Sequence, residues 1–248
     1  MKIALRLNNV SKHYFIKKEK PTLVERIFSA NVKEQRWAVK DINIDIKAGE
    51  FIGVIGSNGS GKTTLLEIIG GIVKPTIGNM TVTGNVVSLI DLEAGFNSEL
   101  TGRENIFLSG LLDGMSKKSI QDQFDSIVSF AGLTEFIDTP LFTYSLGMKM
   151  KLGFSIAIHN NPDILLIDEG ISVGDLVFHQ KIHQYLLSFR KNGKTLILVT
   201  HDMSYIENLC EKVFWLDNGA IIDQGQTSVL LERYKKKMHQ IFLNQQLR

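Results

Sequence analysis

Cysteine is almost missing from this 248-residue chain. Cys210 is its single thiol, so no internal disulfide can form, and a reducing compartment is expected. Neither sign of charge prevails, with 28 Lys and Arg against 26 Asp and Glu, so nothing argues for the broad basic field of a nucleic-acid or lipid-surface binder. No apolar run reaches the roughly 18–20 residues a spanning helix needs. The first ten residues alternate Ile3, Leu5 and Leu7 with Lys2, Arg6 and Asn8, a strand pattern rather than the apolar block of a leader. The expectation is a soluble cytoplasmic protein whose membrane work, if any, goes through a partner. Hydrophobic and charged shares of 44% and 22% exclude disorder, collagen and coiled coil as the main architecture.

What is there is an alternation of short apolar strands and amphipathic helices. Residues 3–10 and 41–46 read as strands bracketing a polar insertion over 15–36. Residues 51–55 read as a strand that passes through a glycine-rich turn into a helix over 62–69. Residues 78–89, with Gly78, Gly84 and β-branched neighbours, read as a hairpin or small antiparallel sheet. Thr101 and Glu104 form a capping-box pattern, and Ile120, Phe124, Ile127, Val128 and Ala131 keep one helical face. A helix from Ser145 to about His159 stops at Asn161-Pro162. Strand 164–167, helix 178–190 and strand 195–200 then alternate as βα units of a parallel sheet do, with a weaker unit over 205–217. Residues 229–248 read as one exposed helix, with Lys235, Lys236 and Lys237 on a solvated face. The expected class is α/β, in one domain. A nucleotide core over about 1–95 and 161–228 carries a mixed or parallel sheet and an antiparallel β subdomain. A helical subdomain lies near 96–160, and the terminal helix follows.

Gly56-Ser57-Asn58-Gly59-Ser60-Gly61-Lys62-Thr63 fits G-x-x-x-x-G-K-[ST] in full, between an apolar strand and an apolar helix. A polyphosphate needs many donors packed closely, which bare glycine backbone and a helix N-terminus supply. Lys62 is expected on the β/γ-phosphates, Thr63 on Mg²⁺ and Thr64 on a phosphate oxygen. Asp163 to Glu169 is an apolar run ending in two acids. Asp168 is placed to hold the metal, and Glu169 to polarise the attacking water as general base. His201 follows a second strand expected to end at the same edge, where it could meet the γ-phosphate and orient that water.

In order and spacing these elements resemble the ATP-binding cassette (ABC) family. Tyr144-Ser145-Leu146-Gly147-Met148 resembles the family's signature, which the resemblance places over the γ-phosphate held by a partner subunit through Ser145 and Gly147. The stretch YSLGMKMKLGF over 144–154 departs from L-S-G-G-Q and looks like the YSSGM form of cassettes that export lipid-linked polysaccharides and teichoic acids. LTGREN over 100–105 and DEGISVGD over 168–175 are similar to the same subgroup, and Asp175 matches the family's dimer-bridging D-loop aspartate. The family's coupling glutamine, a metal contact, has no evident match; Glu93 stands there by position. Tyr14 matches the ring that stacks on adenine, with Phe15 and Trp37 as alternatives.

The resemblance implies an ATP hydrolase using ATP and Mg²⁺. It acts as a head-to-tail homodimer held by two membrane-spanning permease subunits at the cytoplasmic face. The cargo is a polyprenyl-diphosphate-linked glycan, wall teichoic acid before O-antigen or capsule, and no nucleic acid is involved. No carbohydrate-binding extension is expected. Within the insertion, residues 21–28 read as a capped amphipathic helix flanked by Lys17, Lys18 and Lys20. The rival readings are a soluble cassette ATPase acting on ribosomes or DNA, and a lone GTPase or kinase. The first would bring a second cassette or a coiled-coil insertion, the second an Asn-Lys-x-Asp motif, and the sequence has none of these.

Overall fold

Apolar residues fill both faces of the central strands, and only a sheet covered on two sides can bury such a pattern. The computed structural model describes residues 2–16, 34–90, 95–169 and 174–246. In chain order these form β1 (Ile3–Ile16), β2 (Glu34–Lys47), β3 (Phe51–Ile55), α1 (Lys62–Ile69), β4 (Ile77–Val82), β5 (Val86–Leu89), α2 (Gly102–Leu112) and α3 (Lys117–Ala131). There follow α4 (Leu146–His159), β6 (Ile164–Asp168), α5 (Leu176–Lys191), β7 (Thr195–Val199), α6 (Met203–Leu209), β8 (Lys212–Asp217), β9 (Ala220–Gln226) and α7 (Thr227–Gln246).

One sheet has the order β5-β6-β7-β3-β8-β9, parallel except for β9, and the other is β2-β1-β4, antiparallel. Alternation divides the six-stranded sheet between two cores. Leu165, Ile167, Leu196 and Leu198 face α5, α6 and α7, packed with Ile182, Leu186 and Ile206. Ile164, Leu166, Ile197 and Val199 face α1 and the antiparallel sheet, among Leu65, Leu66, Leu7 and Ile44. A third cluster joins α2, α3 and α4 around Ile106, Ile127, Leu141 and Leu152. The expected capping box closes α2, with Thr101 N–H donating to Glu104 at 2.8 Å and Glu104 N–H to Thr101 Oγ1 at 3.2 Å. Among the described residues no helix is long and apolar enough to cross a membrane.

Three expectations are corrected. Residues 78–89 are not a hairpin, and only their first half joins a small antiparallel sheet: β4 pairs antiparallel with β1, whereas β5 pairs parallel with β6 in the other sheet. Gly84 makes the crossing, at φ +101°, with its Cα so close to Asp163 that a Cβ would fall 2.6 Å from that side chain. The strands β1 and β2 stay paired out to Ile16 opposite Glu34, so the insertion narrows to 17–33, outside the described residues along with its expected helix and Lys17, Lys18 and Lys20. The terminal helix α7 is docked rather than exposed all round. Leu230 and Leu231 are buried, Tyr234 meets Trp215 edge-on at 5.1 Å, and Lys237 Nζ lies 4.8 Å over Trp215. Spacing of three and four residues between these apolar positions produces the docked stripe.

Leu166 is fully buried between the two sheets. Leu166→Ala should lower unfolding free energy by about 2–5 kcal/mol in urea titration; a loss well under 1 kcal/mol would contradict this packing.

Candidate nucleotide site

The loop between β3 and α1 is fixed by two close backbone approaches. A Cβ on Gly56 would fall 2.3 Å from Leu216 O, and one on Gly61 would fall 2.3 Å from Ala38 O with φ at +104°. Gly61 is also the N-cap of α1, with no side-chain cap and no acid in the first turn, so the helix offers its first N–H groups and positive end to an anion. Ser57, Asn58 and Gly59 are exposed, while Ser60 is buried and its Oγ has no hydrogen-bond partner among the described residues. Lys62 folds inward, donating from Nζ to Gly56 O at 2.9 Å and Ser57 O at 3.0 Å. Burial holds its pKa below the usual lysine value, with Asp168 and Glu169 pulling the other way.

Parallel pairing brings the other groups to this edge. Val199 lies opposite both Asp168 of β6 and Val54 of β3, so the three strands end level. Thr63 Oγ1 donates to Asp168 Oδ2 at 2.7 Å, joining the head of α1 to the end of β6. Burial raises the Asp168 pKa above the ordinary carboxylate value, and the Thr63 hydrogen bond opposes the shift. Glu169 takes φ +56° and donates its N–H to Val199 O at 2.9 Å, turning its side chain out of the sheet. Its Oε1 sits 2.8 Å from His201 Nε2, with both side chains about half exposed.

A cavity of about 520 Å³ runs from Tyr14, Arg36 and Trp37 at one end to Lys62, Thr63 and Thr64 at the other, with Glu169 on its wall. Asn58 and Gly59 also line it, as does Gly61. Tyr14 carries Lys12 Nζ 5.2 Å above its ring, and Trp37 meets His13 edge-on at 5.1 Å. Phe15 meets His13 at 5.0 Å and is not among the lining residues.

Ser145, Gly147 and Asp175 do not line this cavity. Exposed Ser145 caps α4, accepting from Met148 N–H at 3.2 Å, and a Cβ on Gly147 would meet nothing within 4 Å except Ser145 Oγ at 3.9 Å. Asp175 caps α5, accepting from Phe178 N–H at 2.9 Å, and is ion-paired with Lys151 of α4. Glu93 lies outside the described residues. Sequence reading passed over Arg36, the Ala38 carbonyl and Lys151. Arg36 needed the register of β1 against β2, and Lys151 the packing of α4 on α5.

A glycine loop feeding an uncapped helix, flanked by strand-end carboxylates on a parallel sheet, is the build of a phosphate-loop nucleotide-binding domain. The family model described as ABC transporter matches residues 39–172, and the chain belongs to the ABC transporter family. It is 43% identical, over 93% of its length, to the teichoic acids export ATP-binding protein TagH of Lactiplantibacillus plantarum, covering 64% of that protein. It is 41% identical over 96% of its length to TagH of Enterococcus faecalis, covering 53% of it. The chain thus spans between about half and two thirds of these curated relatives. It is also 42% identical, over 86% of its length, to the O-antigen export system ATP-binding protein RfbB of Klebsiella pneumoniae, covering 87% of that protein. Among solved structures, the dimeric ATP-binding cassette MJ0796 in a post-hydrolysis state bound to ADP and Pi aligns with TM-score 0.72 at 26% identity, covering 90% of this chain and 98% of that one.

Because the folded-state pKa of Asp168 is raised, its ionisation disfavours the folded chain as pH climbs through the interval above the usual carboxylate value. Asp168→Asn should therefore raise the melting temperature of the nucleotide-free protein at pH 7, the gain shrinking toward pH 4. A melting temperature at pH 7 equal to or below the parent's would contradict the buried-carboxylate account.

Proposed function

We propose that this chain is the ATP-hydrolysing subunit of an exporter that moves a polyprenyl-diphosphate-linked polysaccharide across the cytoplasmic membrane. The observation that carries the reading is the junction at one sheet edge, where an uncapped helix and Lys62 stand beside the Thr63–Asp168 contact and the Glu169–His201 pair. Glycine-loop N–H groups, Lys62 and Thr64 hold the triphosphate, and Tyr14 takes the adenine face. A hydroxyl and a carboxylate are the hard oxygen donors a magnesium ion prefers, so Thr63 and Asp168 would hold it, with Glu93 as the coupling-loop contact. When bound, the ion offsets phosphate charge. Glu169 takes the proton of the attacking water, and His201, hydrogen-bonded to it, orients both.

Ser145, Gly147 and Asp175 act in trans. They lie outside the chain's own cavity, and Ser145 and Asp175 remain exposed, which supports a head-to-tail dimer that closes over two ATP molecules. The dimeric state of the MJ0796 cassette points the same way. The helical subdomain over about 96–160 passes closure from the core to two membrane-spanning permease subunits that hold the chain at the cytoplasmic face. Names of the TagH relatives favour teichoic acid as cargo, and the greater coverage of RfbB keeps O-antigen lipid as the second reading.

The test is ATP turnover by the chain reconstituted with its permease, with and without a polyprenyl-diphosphate-linked teichoic acid precursor. Saturable stimulation is expected, together with ATP bound but not turned over in Glu169→Gln and ATP binding lost in Lys62→Ala. Parent-rate hydrolysis by Glu169→Gln would remove the general base. Stimulation by O-antigen lipid alone would transfer the assignment to the second reading.

A further inference from the structure

Arg36 stands at the nucleoside end of the cavity, and its side chain makes no ion pair or hydrogen bond with any described residue. Nearby cations are engaged: Lys12 Nζ donates to Lys74 O at 3.0 Å, and Lys62 is held by its own loop. In the β1–β2 ladder Arg36 lies directly opposite Tyr14. Directly opposed residues project from one face of a sheet with Cβ atoms roughly 4.5–5.5 Å apart. The neighbouring pair, His13 opposite Trp37, leaves by the other face, with its two rings in edge contact at 5.1 Å. Tyr14 and Arg36 therefore project side by side from one face of the ladder, and both line the cavity.

We propose that Arg36 is a specificity-determining residue for the nucleotide, its guanidinium lying next to the Tyr14 ring as the second half of a platform for a purine base. A purine is broader than a phenol ring, so one tyrosine leaves part of the base unsupported. A guanidinium is planar, weakly hydrated and charged, and it stacks on π-faces as an ammonium does not. Its exposed position, with no carboxylate partner among the described residues, leaves it available for that contact. This rests on the reading of the cavity as a nucleotide site.

The experiment measures dissociation constants of ATP, CTP and inorganic tripolyphosphate for the parent, Arg36→Ala and Arg36→Lys. Arg36→Ala should bind ATP about tenfold more weakly, as loss of one cation–π stack predicts. It should also narrow the preference for ATP over CTP and leave tripolyphosphate binding unchanged, which also reports an intact loop. Arg36→Lys should not restore ATP affinity. Unchanged ATP affinity in Arg36→Ala, an equal loss for tripolyphosphate, or full rescue by lysine would each overturn the platform. A parent that binds neither ATP nor tripolyphosphate would instead bring down the nucleotide reading itself.

Discussion

The site depends on the register of the parallel ladder at β6, β7 and β3. Val199 faces Val54 on one side and Asp168 on the other, so three strands that leave the core together release their chains at one height. From those ends come the glycine loop, the two acids and His201. A slip of one residue in β6 would exchange Leu165 and Ile167 with Ile164 and Leu166, sending each set into the wrong core and turning Asp168 away from Thr63. The hydrogen bond from Glu169 N–H to Val199 O extends the ladder one residue past the strand, and the left-handed turn at Glu169 begins only there. Packing of two hydrophobic layers therefore sets the positions of polar groups that make none of that packing themselves.

Those polar groups are held against their own desolvation. Burial opposes charge on both Lys62 and Asp168, and each meets the penalty with the nearest available partner. Lys62 turns into the carbonyls of its own loop, and Asp168 accepts from Thr63. These bonds use the atoms that a triphosphate and a hard cation would engage, so binding them would be an exchange of partners rather than a filling of empty valence. Lys62 gains most by the exchange, because neutral carbonyls would give way to anionic oxygen, a charge-assisted bond of about twice the strength.

Local chemistry was legible in the sequence, and long-range pairing was not. The glycine loop could be read because the backbone approaches at Gly56 and Gly61 exclude any side chain, and helix α1 forms over the residues expected. The strands β6 and β7 could be read because burial on both faces makes an unbroken apolar run. The fate of residues 78–89 could not, since β4 and β5 find partners about 70 residues or more away in opposite directions of the chain. Arg36 was missed for the same reason: it gains meaning only once β2 is laid against β1 with Tyr14 opposite. In α7, three consecutive lysines drew attention to a solvated face, while Leu230, Leu231 and Tyr234 carried the docking stripe alongside them.

The contacts of α5 bear on how such a domain can move. Its first turn is capped by Asp175, which Lys151 of the α4 helix holds, and one turn further on Lys181 donates to Ser129 O and Phe130 O at the end of α3. Both lysines also lie near aromatic faces, Lys151 5.7 Å from the Phe178 ring and Lys181 5.8 Å from that of Phe130. The three-helix block is thus strapped to the helix that follows β6. Lysine at the carboxyl end of α3 is favoured by the helix dipole, and the two straps flank an aromatic core in which Phe130 of α3 and Phe154 of α4 meet Phe178 of α5 edge-on, with ring centroids 5.7 and 5.8 Å away. Rotation of the block would therefore have to repack those rings as well as exchange the lysine contacts. Asp175 is the point where such an exchange is felt most, because the same exposed carboxylate caps α5 and pairs with Lys151 of α4. A rotation that frees Asp175 from Lys151 would leave its cap on α5 in place, so the carboxylate can change its ion-pair partner without unwinding the helix.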